Sequence, residues 1–386
     1  MNIGIVVRTL RIGGMERVAA NLADAFQKEG HTVTLMYLKN KPVEILPENK
    51  NTDIRLIDLD RKLLMTGVGF LWLAFSRFMN MIIRKSFFVW NGFVLSKLFA
   101  GEIEKIENEK GRFDLLIVRG QGTFELIWNL KDTRVVQVCE SIFKNEKKTF
   151  LGSLYAGLLF NNKNVVCVSH GVLETFNEFK KKNCIEPRSS KMITNPIDSE
   201  NIKYRSVDKI DGLPKYKYIL GLGRFVKHKN FPLLIHAFNH LIITYSIEQN
   251  LVLVGDGKER EELISLTKHL GLEKRILFPG LTDNPYAWMA NADLFVLSSE
   301  SEGLGMVILE AFASGTNVVS TNCPGGVKNI MMSETLSSQL AEMETETLAN
   351  IIFQTMNTEF PASDIDVVLE KFLPETIVNE YIQLFI

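Results

Sequence analysis

Short apolar segments recur along the first half of the chain and alternate with longer amphipathic segments. The apolar runs are rich in β-branched residues and read, in chain order, NIGIVV, HTVTLMYL, FDLLIV, RVVQVC and NVVCVS. Between the first two, MERVAANLADAFQKEG has apolar positions at helical spacing. Buried strands that alternate with helices predict a parallel sheet covered by helices on both faces.

The same pattern starts again at Lys217. The second series of apolar runs is YILGLG, NLVLVGDG, RILFPG, ADLFVLSS and TNVVST, each followed by a helical or turn segment. A chain of 386 residues exceeds one usual core, so we expect two α/β domains.

A polar segment containing Pro and Gly, ITNPIDSENIKYRSVDKIDGLPKYK, separates the two series and has the composition of a linker. We therefore predict domains at 1–197 and 198–370. A final helix within 371–386 is expected to pack back toward the first domain. Because open α/β sheets bind ligands beyond the carboxyl ends of their strands, a cleft between the two domains is the expected binding site.

Composition narrows the possible functions. Apolar residues make up 46% of the chain and charged residues 23%, with a formal net charge of −1, which is typical of a globular protein and argues against a generally basic nucleic-acid binder. The four cysteines form no C-x-x-C pair, so we expect neither zinc nor disulfides. The first residues read as a buried strand instead of a signal peptide, and we expect a cytoplasmic protein.

Residues 61–98 break the α/β pattern. From Arg61 to Lys97 the chain is rich in Phe, Trp, Leu and Met and contains no Asp or Glu. The uncharged run 63–76 is shorter than the ~20 residues of a membrane-spanning helix. Two interpretations stay open: an amphipathic region that contacts an anionic membrane surface, or a core segment that also forms a lip for an acceptor.

Two loops carry features that bind anions. Gly13 and Gly14 form a predicted tight turn before a helix, whose first backbone N–H groups and dipole attract anions. In the second domain, Arg224 and Lys229 lie on the loop after the first strand, where two cations could clamp a diphosphate. The run GLGRFV also half-matches the dinucleotide fingerprint G-x-G-x-x-G, but Val226 stands in place of the third glycine.

Two glutamates eight positions apart occur in SSESEGLGMVILEAFASGTNVV. Gly303 and Gly305 allow close backbone approach before a helix that is predicted to end at Gly315. Glu310 lies about two turns into that helix and could accept hydrogen bonds from both hydroxyls of a ribose. Glu302, on the preceding loop, would lie nearer a phosphate. A plain surface position for Glu310 is the alternative, although its neighbours are apolar.

Together these segments resemble the retaining family 4 glycosyltransferases of the GT-B fold, two Rossmann-like domains facing a central cleft. The similar segments, in order, are GGMERVAANLADAF, GHTVTLMY, VSHGVLETF, NPID, GLGRFVKHKNFPLLIHAF, LVLVGDGKEREEL, FPGLTDNPYAWMANADLFVLSSESEGLGMVILEAFASGTNVVST and CPGG. The Arg-x4-Lys pair and the E-x7-E motif are the most specific of them.

The resemblance implies a role for each motif residue. Arg224 and Lys229 would bind the donor diphosphate, Glu310 the ribose, and Glu302 the transferred sugar. The turn at Gly13 and Gly14 would close over the donor phosphates. The backbone amides of Gly303, Leu304, Gly305 and Met306 would complete the anion site.

One position departs from the resemblance. Many relatives carry His after the strand that ends here in VVQVCES, whereas this chain has Cys139 and Glu140. Glu140 is a candidate acceptor-side residue that orients or deprotonates the acceptor, or else it caps the next helix. No cofactor and no metal are expected, because the Asp-x-Asp sequences at 58–60 and 364–366 follow no suitable site-forming strand.

The expected function is therefore transfer of a sugar from a nucleotide sugar, UDP most often in such proteins, to a glycan or lipid-linked glycan. Lipopolysaccharide, capsule or another surface polysaccharide would be the product, made at the inner face of the cytoplasmic membrane. The alternatives are a sugar-nucleotide epimerase or hydrolase with the same fold, and an NAD(P)-dependent oxidoreductase. The sequence leaves open the sugar, base, acceptor, linkage and oligomeric state.

Overall fold

The structure is a computed structural model that describes residues 1–11, 13–144 and 147–384. The chain divides into two compact units, each with its own sheet. The first unit comprises Met1–Pro196 together with Pro374–Ile386, and the second comprises Ile197–Leu373. The chain thus leaves the first unit once and returns to it at the end.

The sheet of the first unit has seven strands, all paired in parallel, in the order β3-β2-β1-β4-β5-β6-β7. Its strands are β1 Asn2–Val7, β2 Thr32–Tyr37, β3 Asp53–Leu56, β4 Leu115–Arg119, β5 Val135–Cys139, β6 Asn164–Cys167 and β7 Ser189–Met192. The central strands are buried along their whole length, as expected for strands covered on both faces.

Helices of the first unit follow the strands. They are α1 Gly14–Lys28, α2 Leu59–Leu64, α3 Gly69–Ile82, α4 Phe87–Lys110, α5 Gln121–Phe124, α6 Phe150–Phe160 and α7 His170–Asn183. The returning chain adds α17, Pro374–Ile382, which packs on α1. The ring of Tyr381 lies 6.2 Å from that of Phe26, and both side chains are fully buried.

The sheet of the second unit has six parallel strands in the order β10-β9-β8-β11-β12-β13. They are β8 Tyr218–Leu222, β9 Asn250–Val254, β10 Ile276–Gly280, β11 Leu294–Leu297, β12 Val318–Thr321 and β13 Leu340–Ala341. Chain order reverses direction between β8 and β11. The carboxyl ends of these two strands therefore form the topological switch point at which such sheets bind ligands.

Nine helices accompany this sheet within the described residues. They are α8 Ser199–Ser206, α9 Phe231–Tyr245, α10 Arg260–His269, α11 Pro285–Ala290, α12 Met306–Ala313, α13 Val327–Ile330, α14 Glu334–Ser337, α15 Thr345–Met356 and α16 Ala362–Glu370. The core lies between the sheet and α9, α10 and α15, and it includes Phe225, Leu234, Phe238, Leu253 and Ile352.

All ten predicted strands form, and the predicted architecture of two parallel-sheet α/β domains is confirmed. The sequence did not reveal β3, β7 and β13. Each lies at an edge of its sheet, and β3 and β7 are only half-buried. An edge strand with polar residues on it has little of the apolar signal by which a strand is recognised.

The polar segment between the two series is more ordered than a linker. It contains α8, whose first turn is capped by Asp198 Oδ1 accepting from Asn201 N at 3.0 Å. Ile202 is buried, and α8 packs against α11 and α12. Among the helices of the described residues, none is both long and apolar enough to cross a membrane.

Candidate functional site

The loop after β8 carries the two predicted cations. It leaves the strand through Gly223, which has a φ of 154°, and continues into a short 3-10 turn at Lys227–Lys229. Asn230, in the left-handed conformation, then precedes α9, which begins at Phe231. Arg224 is exposed and Lys229 is half-buried.

The loop after β11 carries the first of the two glutamates. Ser298 and Ser299 are buried beneath it, and Glu302 makes an isolated parallel bridge to Gly325. Gly305 then adopts a φ of 95° immediately before α12 begins at Met306. A left-handed residue is required there, which explains the glycine.

An ion pair joins these two loops. Lys229 Nζ lies 2.6 Å from Glu302 Oε1, and Ser299 Oγ donates to the same oxygen at 2.5 Å. The backbones are also linked, since Ser298 Oγ donates to the Lys229 carbonyl at 3.0 Å and Glu300 N to the His228 carbonyl at 2.7 Å. The structure thus brings Lys229 and Glu302 together, 73 residues apart in sequence.

Two glycines after β12 make this arrangement possible. A Cβ on Gly325 would overlap the carbonyl oxygen of Glu302, and one on Gly326 would lie 2.6 Å from Leu304 Cα. Gly325 also has a φ of 118°. The two glycines of CPGG therefore let the backbone of the loop that carries Glu302 pack directly against their own backbone, a role that the sequence pattern alone does not indicate.

Electrostatics at the loops follow from burial and from the ion pair. Burial lowers the pKa of His228, and the neighbouring Lys229 charge lowers it further, while Glu302 opposes both. Burial and the charge of Glu302 raise the pKa of the Cys323 thiol to about 11. His228 is thus held neutral and Cys323 is held as a thiol at neutral pH.

Glu310 lies on α12, four residues after its first residue. Its neighbours Leu309 and Ala311 are buried, whereas Glu310 is half-buried. The preceding residues Gly303 to Met306 form the entry to the helix, with Leu304 buried. These positions agree with the predicted arrangement along the chain, and their roles toward a ligand stay predictions.

The dinucleotide alternative lacks its local geometry. Val226 is extended, with φ −138° and ψ 152°, and it precedes the 3-10 turn instead of opening a helix. The helix that follows begins only at Phe231. A G-x-G-x-x-G fingerprint requires the helix N-terminus directly after the glycines, where it meets the pyrophosphate.

In the first unit, Gly13 lies at a bend directly before α1, and the role of Gly13 and Gly14 toward the donor phosphates stays a prediction. Gly13 is extended, with φ −177°, and α1 begins at Gly14. The carboxylate of Glu16 folds over Gly13, and Thr9 Oγ1 donates to it at 3.1 Å. The acidic side chain of Glu16 therefore already lies at the N-terminus of α1. An anionic ligand that bound there would have to lie beside this carboxylate.

Glu140 is part of a buried polar cluster. Arg119, which is fully buried, lies with Nη2 2.6 Å from Glu140 Oε1 and donates to Asn195 Oδ1 at 2.7 Å. Burial raises the pKa of Glu140, although the Arg119 charge opposes this. The capping alternative for Glu140 is wrong, because Thr149 caps α6 by accepting from Gly152 N.

Both Asp-x-Asp sequences have structural partners. Asp58 caps α2 by accepting from Arg61 N at 3.0 Å, and Asp60 pairs with Lys39. Asp364 accepts a hydrogen bond from Ser333 Oγ at 2.8 Å. Within 1–11, 13–144 and 147–384, no group of three or more His, Cys, Asp or Glu side chains is placed to hold a metal ion.

Residues 205–341 match the family described as glycosyl transferases group 1. The range contains Arg224, Lys229, Glu302 and Glu310. The chain carries a group 1 glycosyltransferase domain. The resemblance is thereby confirmed at the level of the glycosyltransferases, and membership of family 4 stays a prediction.

Two curated relatives have similar sequences. One is the N-acetylgalactosamine-N,N'-diacetylbacillosaminyl-diphospho-undecaprenol 4-alpha-N-acetylgalactosaminyltransferase of Campylobacter jejuni, 31% identical over 216 residues, which are 56% of this chain and 56% of the relative. The other is the lipopolysaccharide core biosynthesis glycosyltransferase LpsE of Rhizobium meliloti, 30% identical over 231 residues, or 58% and 64%. The chain thus spans roughly half to two thirds of these relatives.

Solved structures share the fold. The protein Alr3699/HepE of Anabaena in complex with UDP superimposes with a TM-score of 0.71 at 18% identity, covering 100% of this chain and 99% of that chain. At this identity the likeness shows the fold alone. Like its structural neighbours, the group 1 glycosyltransferase domain and the unit that precedes it belong to the GT-B fold class, as predicted.

Proposed function

We propose that this protein is a retaining glycosyltransferase that transfers a sugar from a nucleotide sugar, a UDP-sugar, to a glycan or lipid-linked glycan. The proposal rests on one observation above the others: Lys229 and Glu302 meet at the switch point of a group 1 glycosyltransferase domain. This is where open α/β sheets bind nucleotides.

The charges at this site suit a departing diphosphate. As the bond between the sugar and the nucleotide breaks, negative charge grows on the leaving phosphate oxygens. Lys229 is fixed by Glu302, and Arg224 lies on the same loop. Positively charged groups that are already in position stabilise the developing charge without reorganising, and one such group contributes about 3 kcal/mol.

The carboxylates would position the two ends of the donor. Glu310 would accept hydrogen bonds from the ribose hydroxyls, and Glu302 would contact the transferred sugar. Neither Glu302 nor Glu310 is proposed as a nucleophile. Retention would instead follow from attack of the acceptor hydroxyl on the face that the diphosphate leaves, with the leaving phosphate assisting. We also propose that no metal and no other cofactor take part.

The acceptor belongs to surface-polysaccharide assembly in this proposal. By their names, one relative acts on a diphospho-undecaprenol-linked sugar and another serves lipopolysaccharide core synthesis. Glu140 remains a candidate acceptor-side residue because it lies at the carboxyl end of β5, with its side chain held by Arg119. We place the protein in the cytoplasm, at the inner face of the cytoplasmic membrane.

Substitution within the 3-10 turn tests the site. Lys229→Ala should lower the transfer rate about a hundredfold, because it removes a group worth about 3 kcal/mol in the transition state. Lys227→Ala, two residues earlier on the same turn and exposed, is the matched control and should stay near the wild-type rate. Product formation from a panel of nucleotide sugars, followed by mass spectrometry, measures both.

Arg224→Ala and Glu310→Ala should abolish transfer without unfolding the protein, and the same assay measures this.

Ligand-induced thermal stabilisation separates the alternatives. UDP should raise the melting temperature of the wild type and NAD should not. Stabilisation by NAD alone would favour the oxidoreductase, and a product that is an epimer or a free sugar would favour the epimerase or hydrolase. A wild-type transfer rate in Lys229→Ala would remove Lys229 from the proposed site.

A further inference from the structure

Helix α3 carries apolar side chains on its outer side as well as on its inner side. The inner side holds the half-buried Trp72, Leu73 and Met79 beside the buried Ser76, and the outer residues are almost all apolar. The exposed ones are Phe70, Leu71, Phe75, Phe78, Met81 and Ile82, with Phe70 73% and Met81 81% exposed. A helix on the surface of a globular protein normally turns its apolar stripe inward.

Hydrogen bonds fix α3 in this orientation. Trp72 Nε1 donates to the carbonyl of Trp90 on α4 at 3.1 Å, and Asn80 Oδ1 accepts from Phe87 N at 3.1 Å. Within α3 itself, the buried Ser76 hydroxyl donates to the carbonyl of Trp72 at 2.8 Å, so this polar group is satisfied on the inner side. Rotating the helix to bury its apolar face would break the contacts to α4. The exposed apolar residues are therefore held outward.

A second exposed apolar group belongs to α6. Phe150, Leu151 and Leu154 lie in its first turns, and Phe150 is 84% exposed. Both helices contact the beginning of α4: Tyr155 packs against Phe88 with ring centroids 5.4 Å apart. On the α3 side, the rings of Phe75 and Trp90 are 5.5 Å apart. We call the exposed apolar residues of α3 and α6 together the apolar face.

Positive charge borders the apolar face. Residues 61–97 contain no acid, and neither α3 nor α6 has an acid in its first turn. Arg77, Arg84 and Lys85 are exposed on the α3 side. Arg84 and Lys85 also line a shallow recess of about 580 Å³ with Asn80 and Met81. Cations and apolar side chains without acids complement a surface that is itself apolar and anionic.

We propose that the apolar face seats the protein on an anionic lipid bilayer, with α3 and the first turns of α6 lying in the plane of the headgroups. At 14 residues, α3 is about 21 Å long, too short for the ~30 Å hydrocarbon core, so it lies in the interface and does not cross it. Arg84 and Lys85 would contact lipid phosphates. The inference rests on the proposed function in one respect, since membrane binding would give access to a lipid-linked acceptor. The exposed apolar residues and the cations that support it are independent of that function.

Vesicle flotation of the full chain tests the proposal. The wild type should float with vesicles of phosphatidylcholine and phosphatidylglycerol, and far less with phosphatidylcholine alone. Phe70→Ser with Met81→Ser should reduce binding about a hundredfold, since each removes a large apolar side chain from the bilayer. Phe150→Ser should also weaken it, because the proposal places the first turns of α6 in the same plane of headgroups as α3. Arg84→Gln with Lys85→Gln should weaken it by about fivefold for each charge.

Ile243→Ser is the matched control. Ile243 is 73% exposed on α9 of the second unit, and its replacement should leave flotation unchanged. Circular dichroism confirms that each variant is folded. Transfer to a soluble acceptor should stay at the wild-type rate in the α3 variants, so that failure of the membrane proposal can be told from failure of the proposed function.

Three results would overturn the proposal. The first is a wild type that does not float with anionic vesicles. The second is an equal loss of flotation in the control variant. The third is a stable dimer in solution that the Phe70→Ser and Met81→Ser substitutions dissociate, because the apolar face would then be covered by a second copy of the chain.

Discussion

Glu302 receives two donors on one carboxylate oxygen, and this fixes where the Lys229 ammonium lies. The two side chains are only 16% and 12% exposed. An ion pair buried to this extent contributes little net stability, because the desolvation penalty of the two charges nearly cancels their electrostatic attraction. Its value lies in orientation: the cation and the acid are held at the strand ends before any ligand arrives.

Arg119 is a further buried charge with defined partners. It lies at the end of β4 and is fully buried against Glu140 and Asn195. Because the pKa of Glu140 is higher in the folded state than in the unfolded state, the stability of the first unit depends on pH. With the guanidinium removed, burial and the charge of Glu16 would still raise the pKa of Glu140, and only the hydrogen bond with Asn195 would oppose them, so the pKa would rise further.

Arg119→Met should therefore lower the free energy of unfolding of the first unit by about 3–5 kcal/mol at neutral pH, because a buried carboxylate loses its partner. The pKa of Glu140 is higher in the folded state than in the unfolded state. The energetic penalty of burying the ionised, unpaired carboxylate is therefore fully present above the folded-state pKa and disappears below the unfolded-state pKa of about 4.5. The difference in the free energy of unfolding between Arg119→Met and the wild type should therefore become smaller as the pH falls toward 4.5. Denaturation followed by tryptophan fluorescence measures it, since Trp72, Trp90 and Trp128 lie in the first unit.

Arg112→Met is the control for that measurement, because Arg112 is exposed and its loss should change stability by no more than about 0.5 kcal/mol. A difference between Arg119→Met and wild type that stays constant with pH would contradict the account. It would mean that lost packing, and not the unpaired carboxylate, destabilises the variant.

At the scale of elements, the candidate site depends on loops that pack backbone against backbone. The loop after β11 rests on Gly325 and Gly326, which follow β12, so three neighbouring strands determine the position of Glu302. Helix α12 then begins in a direction set by the left-handed Gly305. Side chains at these glycines would push the loop away from the strand ends.

Gly325→Ala should lower stability by about 1–3 kcal/mol and transfer by about a hundredfold, because the new methyl group overlaps Glu302 and displaces it. Gly315→Ala is the matched control, since Gly315 has a φ of 80° but open space around it. Gly315→Ala should lower the stability of the protein through backbone strain, but its transfer rate should stay near that of the wild type. Equal activity in the two variants would show that Glu302 is not positioned by this contact.

At the scale of the whole molecule, the chain completes its first unit only with its last helix. Ile377, Val378 and Tyr381 of α17 are fully buried, and the burial raises the pKa of the Tyr381 hydroxyl to about 12. The first unit therefore contains residues from both ends of the chain. Its stability must depend on a helix that is separated from the rest of the unit by the entire second unit.

Tyr381→Ala should destabilise the first unit by about 3–5 kcal/mol, the usual cost of removing a buried aromatic side chain. Glu375→Ala, exposed on the same helix, should change stability by no more than about 0.5 kcal/mol. The same fluorescence transition measures both. If Tyr381→Ala unfolded like the wild type, α17 would not be part of the first unit in solution.

The sequence by itself determined the two parallel-sheet domains and the position of the candidate site along the chain. Ten strands carry the apolar runs that predicted them. Arg224, Lys229 and Glu302 lie in the loops after two of these strands, and Glu310 lies in the helix after the second of those loops. These are local features, because the period of the apolar residues and the turn chemistry are both set by neighbours in sequence.

Only the tertiary structure decided which of these residues meet. Lys229 and Glu302 are 73 residues apart and Arg119 and Asn195 are 76 apart, and no local pattern specifies such pairs. The outward face of α3 was also undecided, because its composition is equally apolar on the buried and exposed sides until hydrogen bonds to α4 fix its rotation. Pairing and orientation depend on which surfaces pack together, and that is a property of the folded chain.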